Sequence, residues 1–309
     1  MNRYTLTLRP TAPYDLEMTT DNQPYFRKGD GPSAAAYQRL LDLGEKLTVA
    51  TVYSTGTAAE PVLSVTLQGN ELNDTEISVA QDQLEKVLGL HQDLQPFYSS
   101  AATDPVMTHL TETFHGMHQS GALSVFETIA QAILGQQLSA SVARVIRGLM
   151  IETYGPSLTV EGFTHYAFPR PQAIAEASVE ELRALKLSWR KAEYLQGVAR
   201  AETETAGGLD RVSELEDSEV VKEITALRGV GGWTAQWVLS RALGRPNAFP
   251  LGDLALRRIV SQLYFGGETI TDSQLADFST RWSPHRSLAT SYLFAALRTG
   301  RGQSVTYVP

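Results

Sequence analysis

Hydrophobic and polar residues alternate in three short segments within the first hundred residues of the chain. The alternating segments cover residues 4–9, 47–53 and 62–68, and a period of two is typical of strands with one buried face. Two other stretches predict helices, residues 34–43 and 79–88, because each is followed by a glycine that can end a helix. Residues 98–105 are polar and predict a linker. The pattern therefore predicts an N-terminal α+β domain over residues 1–100.

After Pro105 the hydrophobic residues recur at helical spacing, and helix-start signals become frequent. Ser124 and Ser139 are placed to cap two successive helices, and Ser178-Val-Glu-Glu181 fits a capping box. The remaining predicted helices cover residues 190–202, 232–243, 253–263 and 286–298, and two more are predicted to start at Ser218 and Thr271. Because helix follows helix with short polar connections, residues 106–309 are predicted to form an all-α region.

Composition indicates an ordinary globular protein. The chain has 309 residues, of which 42% are hydrophobic and 19% charged. No apolar run reaches the roughly 18 residues of a membrane span, and the first ten residues lack an apolar signal core. The chain has no cysteine, which excludes disulfides and thiolate zinc sites. We therefore expect a cytoplasmic protein that does not associate with membranes.

The net charge of −8 argues at first against a nucleic-acid partner. However, residues 1–105 hold 7 Lys and Arg against 14 Asp and Glu, which gives −7, and residues 106–309 hold 19 against 20, which gives −1. The helical part is thus nearly neutral and can present a local basic face. Candidates for this face, each of which could equally lie on a solvated helix surface, are Arg144, Arg147, Arg190, Lys191, Arg245, Arg257 and Arg258.

A glycine-rich turn and one acidic residue stand out in the helical region. Gly229, Gly231 and Gly232 precede a predicted helix, and Asp253 follows Gly252 at the start of the next one. Backbone amides at a helix start that opens with glycine can hold a phosphate. Taken alone, the glycines also fit a plain corner between two helices, and Asp253 also fits an ordinary N-cap.

The segment Leu227-Arg-Gly-Val-Gly-Gly-Trp-Thr-Ala235, together with Gly252-Asp253, resembles the helix-hairpin-helix DNA glycosylases. The resemblance is closest to the 3-methyladenine DNA glycosylase II branch, which excises alkylated bases. It is clear from about Phe126 to Arg298 and faint before Pro105. It implies a mainly α fold with an N-terminal α+β domain and two helical lobes around a cleft. Arg228 stands where the family has a proline.

The resemblance assigns roles to residues of the hairpin and of the loop that ends at Asp253. It makes Asp253 the catalytic residue, and it implies that the hairpin contacts DNA through Gly229, Gly231, Gly232 and Thr234. Main-chain carbonyls would bind a structural monovalent cation, Na⁺ or K⁺; these belong to Thr225, Leu227 and Val230. No cofactor is required, and the absence of cysteine excludes the iron–sulfur cluster of some relatives.

Candidate pocket and wedge residues also follow from the resemblance. Trp233 and Trp237 lie four residues apart on one helix face and match pocket aromatics, although such pairs also occur in cores. The other pocket candidates are Phe126, Leu254 and His285, of which the last two replace a tyrosine and a tryptophan. In the motif from Phe126 to Ser139, Gln137 takes the position of the wedge that fills the gap left by a flipped base. A third matching segment, residues 187–195, reads as scaffold.

These assignments predict a monofunctional DNA glycosylase that flips alkylated purines out of double-stranded DNA and leaves an abasic site. One carboxylate can suffice because a cationic base leaves as a neutral molecule and needs no general acid. Trp233 stands where strand-cleaving relatives carry a nucleophilic lysine. Two alternatives remain, a glycosylase for hypoxanthine or an oxidised purine, and a non-catalytic DNA-binding protein. We expect a monomer that associates with the nucleoid while acting.

Overall fold

An antiparallel sheet of four strands forms the N-terminal part of the protein. The computed structural model describes residues 2–21 and 37–303, and the strands lie in the order β1-β4-β3-β2. They are β1 (Asn2–Leu8), β2 (Tyr37–Asp42), β3 (Leu47–Ser54) and β4 (Leu63–Gly69). Central strand β4 pairs Thr66 with Thr5 on one side and with Thr51 on the other. The three strands predicted from alternation are confirmed.

Two predictions in this region are wrong. The predicted helix over residues 34–43 is strand β2 where it is described, and residues 34–36 lie outside the described residues. Both Leu40 and Leu41 are buried, so β2 is covered on both faces and shows no alternation in its sequence. The predicted linker over residues 98–105 is largely helical, because Asp104 caps a new helix that begins at Pro105.

Fourteen helices accompany the strands in the described residues. The first four are α1 (Leu16–Thr20), α2 (Asp74–Leu88), α3 (Gln95–Ala101) and α4 (Pro105–Thr113). The next five are α5 (Val125–Gly135), α6 (Ala140–Tyr154), α7 (Pro171–Glu176), α8 (Val179–Ala184) and α9 (Trp189–Glu204). The last five are α10 (Asp217–Thr225), α11 (Gly232–Trp237), α12 (Leu254–Tyr264), α13 (Asp272–Ser279) and α14 (Arg286–Thr299).

Local capping signals located these helices well. Ser124, Ser139 and Ser178 each accept a backbone hydrogen bond at a helix start, as predicted. Helix α11 continues into a π-helical turn over Val238–Ala242, which the sequence did not reveal. None of the described helices combines the length and the apolar character that a bilayer crossing requires.

A small β-hairpin interrupts the region that was predicted to be all-α. Strands β5 (Ser157–Val160) and β6 (Phe163–Tyr166) pair with each other between α6 and α7. Val160 packs with Leu40 and Val49 of the N-terminal sheet in a separate apolar cluster. The hairpin is stabilised by this contact with a distant part of the chain, and helical periodicity cannot predict such a contact.

The helices bury two large apolar clusters. The first spans residues 125–248 and includes helices α5, α9 and α11. The second combines α12 and α14 with residues 97–117, so that α3 and α4 pack beside the C-terminal helices. The chain passes between the clusters at Ala248 and Phe249, four residues before Asp253. These clusters form the two lobes of the mainly α fold.

A buried ion pair joins the N-terminal sheet to helix α5. Arg39 of β2 and Glu127 of α5 approach to 3.7 Å, and their side chains are only 4% and 3% exposed. Glu127 also accepts hydrogen bonds from the backbone N–H of Leu123 and the side-chain amide of Gln131. Burial nevertheless raises the pKa of Glu127 from its ordinary 4.5 to about 7.

We predict that Glu127→Gln removes a pH dependence of stability. Because the folded-state pKa exceeds the unfolded one, Glu127 stabilises the fold at low pH and loses this contribution as pH rises through about 7. The free energy of urea-induced unfolding should therefore fall between pH 5 and pH 8 by on the order of 2 kcal/mol more in the wild type than in the variant. An exposed-site control, Glu112→Gln, should keep the wild-type difference, and an unchanged pH profile in Glu127→Gln would contradict the assignment.

Candidate active site

Asp253 lies at the end of a tight turn between the two helical clusters. The backbone N–H of Asp253 donates to the carbonyl of Pro250 at 3.1 Å, which closes the turn Pro250-Leu-Gly-Asp253. Gly252 has a φ of +89°, a conformation that glycine adopts without strain at this position of a turn. The turn places Asp253 at the N-cap of α12, half-buried.

Three N–H groups hold the Asp253 carboxylate. Its Oδ1 accepts from the backbone N–H groups of Ala255 and Leu256 at 2.9 and 3.0 Å. Its Oδ2 accepts from the indole Nε1–H of Trp233 at 2.9 Å. The N-cap interpretation and the functional one are therefore compatible, because the cap uses one oxygen and the indole orients the other.

A second hydrogen bond joins the loop before Asp253 to α11, the helix that carries Trp233. The side-chain oxygen of Gln236, on α11, accepts from the backbone N–H of Phe249 at 2.9 Å. Helix α11 thus holds the loop at both ends, through Gln236 and Trp233. Sequence reasoning missed Gln236, although its position three residues after Trp233 on the same helix was available as a signal.

The glycine hairpin joins α10 to α11. Gly229 has a φ of +86°, and a Cβ at this position would come within 2.2 Å of the Tyr194 ring of α9. Gly231 is the N-cap of α11, and both Gly231 and Gly232 are exposed. The backbone N–H groups of residues 231–234 donate no hydrogen bond to any described residue. Of the predicted donors to phosphate, Gly231 and Gly232 are thus at the surface with unpaired N–H groups, Gly229 is half-buried, and Thr234 is buried.

The two tryptophans of α11 lie between the clusters. Their ring centroids are 6.3 Å apart at an interplanar angle of 80°, and both residues are half-buried. Trp237 also lies 5.9 Å from the Phe294 ring of α14, and the Arg241 guanidinium lies 5.7 Å from its centroid. Trp237 is therefore packed on several sides, whereas the indole N–H of Trp233 is directed at Asp253.

The other predicted pocket residues have different surroundings. Phe126 is 2% exposed and packs against Phe168 in the first cluster, so it is a core residue and lines no open pocket. Leu254, one residue after Asp253, is 70% exposed. His285 begins α14 with its ring 6.2 Å from Phe97, and no hydrogen bond or ring contact within the described chain joins it to Asp253 or the tryptophans. Burial lowers the pKa of His285 and favours its neutral form.

The predicted wedge residue lies on a short loop between α5 and α6, residues 136–139, which we term the wedge loop. Gln137 is exposed and has a φ of +56°, which is uncommon for a residue other than glycine. Its neighbour Gln136 donates from its side-chain amide to the carbonyl of Gly229 at 3.0 Å. The wedge loop and the hairpin are therefore in direct contact.

The candidate basic residues divide into two groups. Four are engaged within the protein: Arg147 with Gln131, Lys191 with carbonyls of the wedge loop region, Arg245 with Ser213 and Leu215, and Arg257 with Asp272. The remaining three are exposed and make no hydrogen bond or ion pair to a described residue: Arg144, Arg190 and Arg258. Only this second group is free to contact an external anion.

Comparisons with known proteins agree with the class that this fold and site define. Residues 130–285 match the model of the HhH-GPD superfamily of base excision DNA repair proteins. The chain is 30% identical over 208 residues to the DNA-3-methyladenine glycosylase of Bacillus subtilis (strain 168), which covers 67% of this chain and 69% of that protein. The chain belongs to this superfamily, and it is a DNA glycosylase of the branch that contains the 3-methyladenine enzymes.

Solved structures support the same assignment. The 3-methyladenine DNA-glycosylase from Archaeoglobus fulgidus superposes with a TM-score of 0.82 at 30% identity, over 95% of this chain and 98% of that one. The Clostridium acetobutylicum 8-oxoguanine glycosylase/lyase superposes with a TM-score of 0.76 at 18% identity, over 96% of each chain, and this likeness concerns the fold alone. The predicted fold class and enzyme class are confirmed, and the non-catalytic alternative is thereby set aside.

We predict that Gly229→Ala destabilises the protein by at least about 2 kcal/mol, because a side chain at positive φ is strained and the added methyl group meets the Tyr194 ring. Gly231→Ala is the matched control, since its φ is −110° and its Cβ would meet nothing within 4 Å. This control should change stability by less than about 1 kcal/mol. Equal losses of unfolding free energy in the two variants would contradict the prediction.

Proposed function

We propose that this enzyme is a monofunctional glycosylase that hydrolyses the N-glycosidic bond of alkylated purines in double-stranded DNA. The observation that carries the proposal is the carboxylate of Asp253, which is held by two backbone amides and one indole N–H. The 3-methyladenine glycosylase relatives named above support alkylated bases as substrates. A base that is stacked in the duplex is out of reach of any side chain, so the purine must flip out before the reaction. The flipped purine would then enter beside Asp253.

The proposed chemistry needs only one carboxylate. A purine methylated on a ring nitrogen carries positive charge and departs as a neutral base once the bond to the sugar breaks. The positive charge then develops on the sugar, where the fixed anion of Asp253 stabilises it electrostatically and orients the attacking water. Since both oxygens already accept N–H donors, the carboxylate is oriented before the reaction and need not reorganise.

Trp233 supports hydrolysis without strand cleavage. A Schiff-base reaction requires a primary amine next to the sugar. In this site the side chain that reaches Asp253 is an indole, whose N–H donates to the carboxylate and is not nucleophilic. The reaction would therefore end at an abasic site with the DNA backbone intact.

We also propose that the hairpin binds a monovalent cation through the main-chain carbonyls of Thr225, Leu227 and Val230. Thr225 is the last residue of α10, where carbonyls lack partners within the helix. The carbonyl of Leu227 accepts only the N–H of Val230, at 3.1 Å, so it keeps a free lone pair. Three neutral oxygens without a carboxylate suit a singly charged ion. Such an ion would stiffen the hairpin and add positive charge near the exposed amides of Gly231 and Gly232.

The partner in this proposal is duplex DNA that carries a damaged base, bound by one copy of the chain. Exposed Arg144, Arg190 and Arg258 supply positive charge in a protein whose net charge is −8. An enzyme that acts on chromosomal DNA in this way would be cytoplasmic and would associate with the nucleoid while it acts.

Asp253→Asn should lower the single-turnover excision rate by about 10²- to 10³-fold, because it removes the charge that stabilises the sugar. DNA affinity should change little, and the N-cap is kept because the asparagine oxygen can replace Oδ1, while the bond from the Trp233 indole is lost. The measurements are release of 7-methylguanine from a duplex and binding to a duplex with an abasic site. Excision close to the wild-type rate would refute the role of Asp253.

Two control variants sharpen this test. Asp15→Asn replaces another half-buried N-cap aspartate, at the start of α1, and should leave excision unchanged. Trp233→Phe keeps a flat ring and the charge of Asp253 but removes the indole donor, so its loss should be smaller than that of Asp253→Asn.

A panel of lesions tests the substrate class and the reaction type together. We expect release of 3-methyladenine and 7-methylguanine, slower release of hypoxanthine and 8-oxoguanine, and no covalent complex with DNA after borohydride treatment. A preference for hypoxanthine or 8-oxoguanine would support the alternative glycosylase. A borohydride-trapped complex would show that the enzyme forms a Schiff base, contrary to the proposal.

A further inference from the structure

Lys191, on helix α9, reaches the end of helix α5 and binds one carbonyl of its last turn and the carbonyl of its C-cap residue. Its Nζ donates to the carbonyl oxygens of Leu134 at 3.1 Å and Gln136 at 2.5 Å. Carbonyls in the last turn of a helix have no partner within that helix, and a cation there also complements the helix dipole. Lys191 therefore caps α5 from another helix and fixes the point at which the wedge loop begins.

Gln136 connects this capped end to the DNA-binding hairpin. Its backbone carbonyl accepts from Lys191, and its side-chain amide donates to the carbonyl of Gly229 at 3.0 Å. Gly229 in turn rests against the ring of Tyr194, three residues after Lys191 on α9. One face of α9 thus supports both the wedge loop and the hairpin, and Gln136 joins the two.

Gln137 lies in the wedge loop directly after Gln136. Its positive φ is strained for a residue other than glycine, and its exposed side chain makes no hydrogen bond to a described residue. A strained, outward-directed residue persists only where its surroundings fix it. A turn closed by the Leu138 N–H and the Gly135 carbonyl, 3.2 Å apart, holds Gln137 in this conformation, and the bonds of Gln136 to Lys191 and Gly229 anchor that turn.

We propose that Lys191 is a positioning residue for base flipping, which acts through Gln136 to hold the wedge residue Gln137 at a fixed place relative to the hairpin. The inference rests on the proposed function, because it assigns Lys191 to the flipping step and not to bond hydrolysis. Lys191 does not touch the flipped base in this scheme. Its loss should matter only where unstacking a paired base limits the rate.

The test compares Lys191→Met with the wild type on two duplexes that carry 7-methylguanine. In one the lesion is paired with cytosine, and in the other it lies opposite an abasic site, which lowers the cost of flipping. We expect the variant to lose about tenfold or more in excision rate on the paired lesion, as for a displaced positioning group, and less than about twofold on the other. Equal losses on both duplexes, or no loss, would overturn the proposal.

Several variants separate positioning from a general effect on folding or charge. Lys222→Met removes an exposed lysine of α10 and should behave as the wild type on both duplexes. Lys191→Arg keeps a donor cation and should recover most of the rate.

A double variant tests whether Lys191 acts through the wedge residue. In a Gln137→Ala background, Lys191→Met should cause no further loss, whereas additive losses would show that Lys191 acts elsewhere. If Lys191→Met fails to fold, Gln136→Leu breaks only the bond to Gly229 and should give the same dependence on the duplex.

Fluorescence separates failure of this inference from failure of the proposed function. A 2-aminopurine beside the lesion brightens when its stacking neighbour flips out, whether or not the glycosidic bond breaks. A wild type that releases no base would refute the proposed function, while the 2-aminopurine signal would still test Lys191. A signal as strong in Lys191→Met as in the wild type would refute the positioning role.

Discussion

The hydrogen bond between Trp233 and Asp253 is the contact on which the site depends, because its two ends belong to different apolar clusters. Trp233 is on α11, which packs in the first cluster, and Asp253 caps α12, which packs in the second. A single 2.9 Å bond therefore links the carboxylate that we propose to be catalytic to the helix that follows the glycine hairpin. Two further contacts join the same two clusters: the hydrogen bond from Phe249 to Gln236 and the ring contact of Trp237 with Phe294.

This construction gives the carboxylate two uses without conflict. One oxygen satisfies the N–H groups that a helix start leaves unpaired, so the fold itself retains Asp253 in place. The other oxygen is held by an indole, which can orient an anion but cannot form a covalent bond to the sugar. In the proposed function, position 233 thus has two roles: it aligns the carboxylate, and it provides no amine for strand cleavage.

Features written in local sequence were the ones that could be predicted. Helix starts could be predicted because an N-cap is a contact within four residues. The structure confirms such caps at Ser124, Ser139, Ser178 and Thr271. Strand β2 and the hairpin of β5 and β6 depend on pairing and packing with distant segments, so periodicity failed there. The glycine hairpin and Asp253 could be predicted from their sequence motif. The core position of Phe126 could not, because it depends on packing against Phe168, 42 residues later in the chain.

Helix α9 contains most of the segment 187–195, which the sequence analysis interprets as scaffold. Its residues touch neither Asp253 nor either tryptophan of α11 by any hydrogen bond or ring contact in the described chain. They nevertheless meet the two elements that we propose to contact DNA, the wedge loop through Lys191 and the glycine hairpin through Tyr194. In this scheme the wedge must enter the duplex while the hairpin holds the DNA backbone, so base flipping depends on the distance between the wedge loop and the hairpin. Helix α9 contacts both elements and fixes that distance, although it lies outside the site proposed for bond hydrolysis.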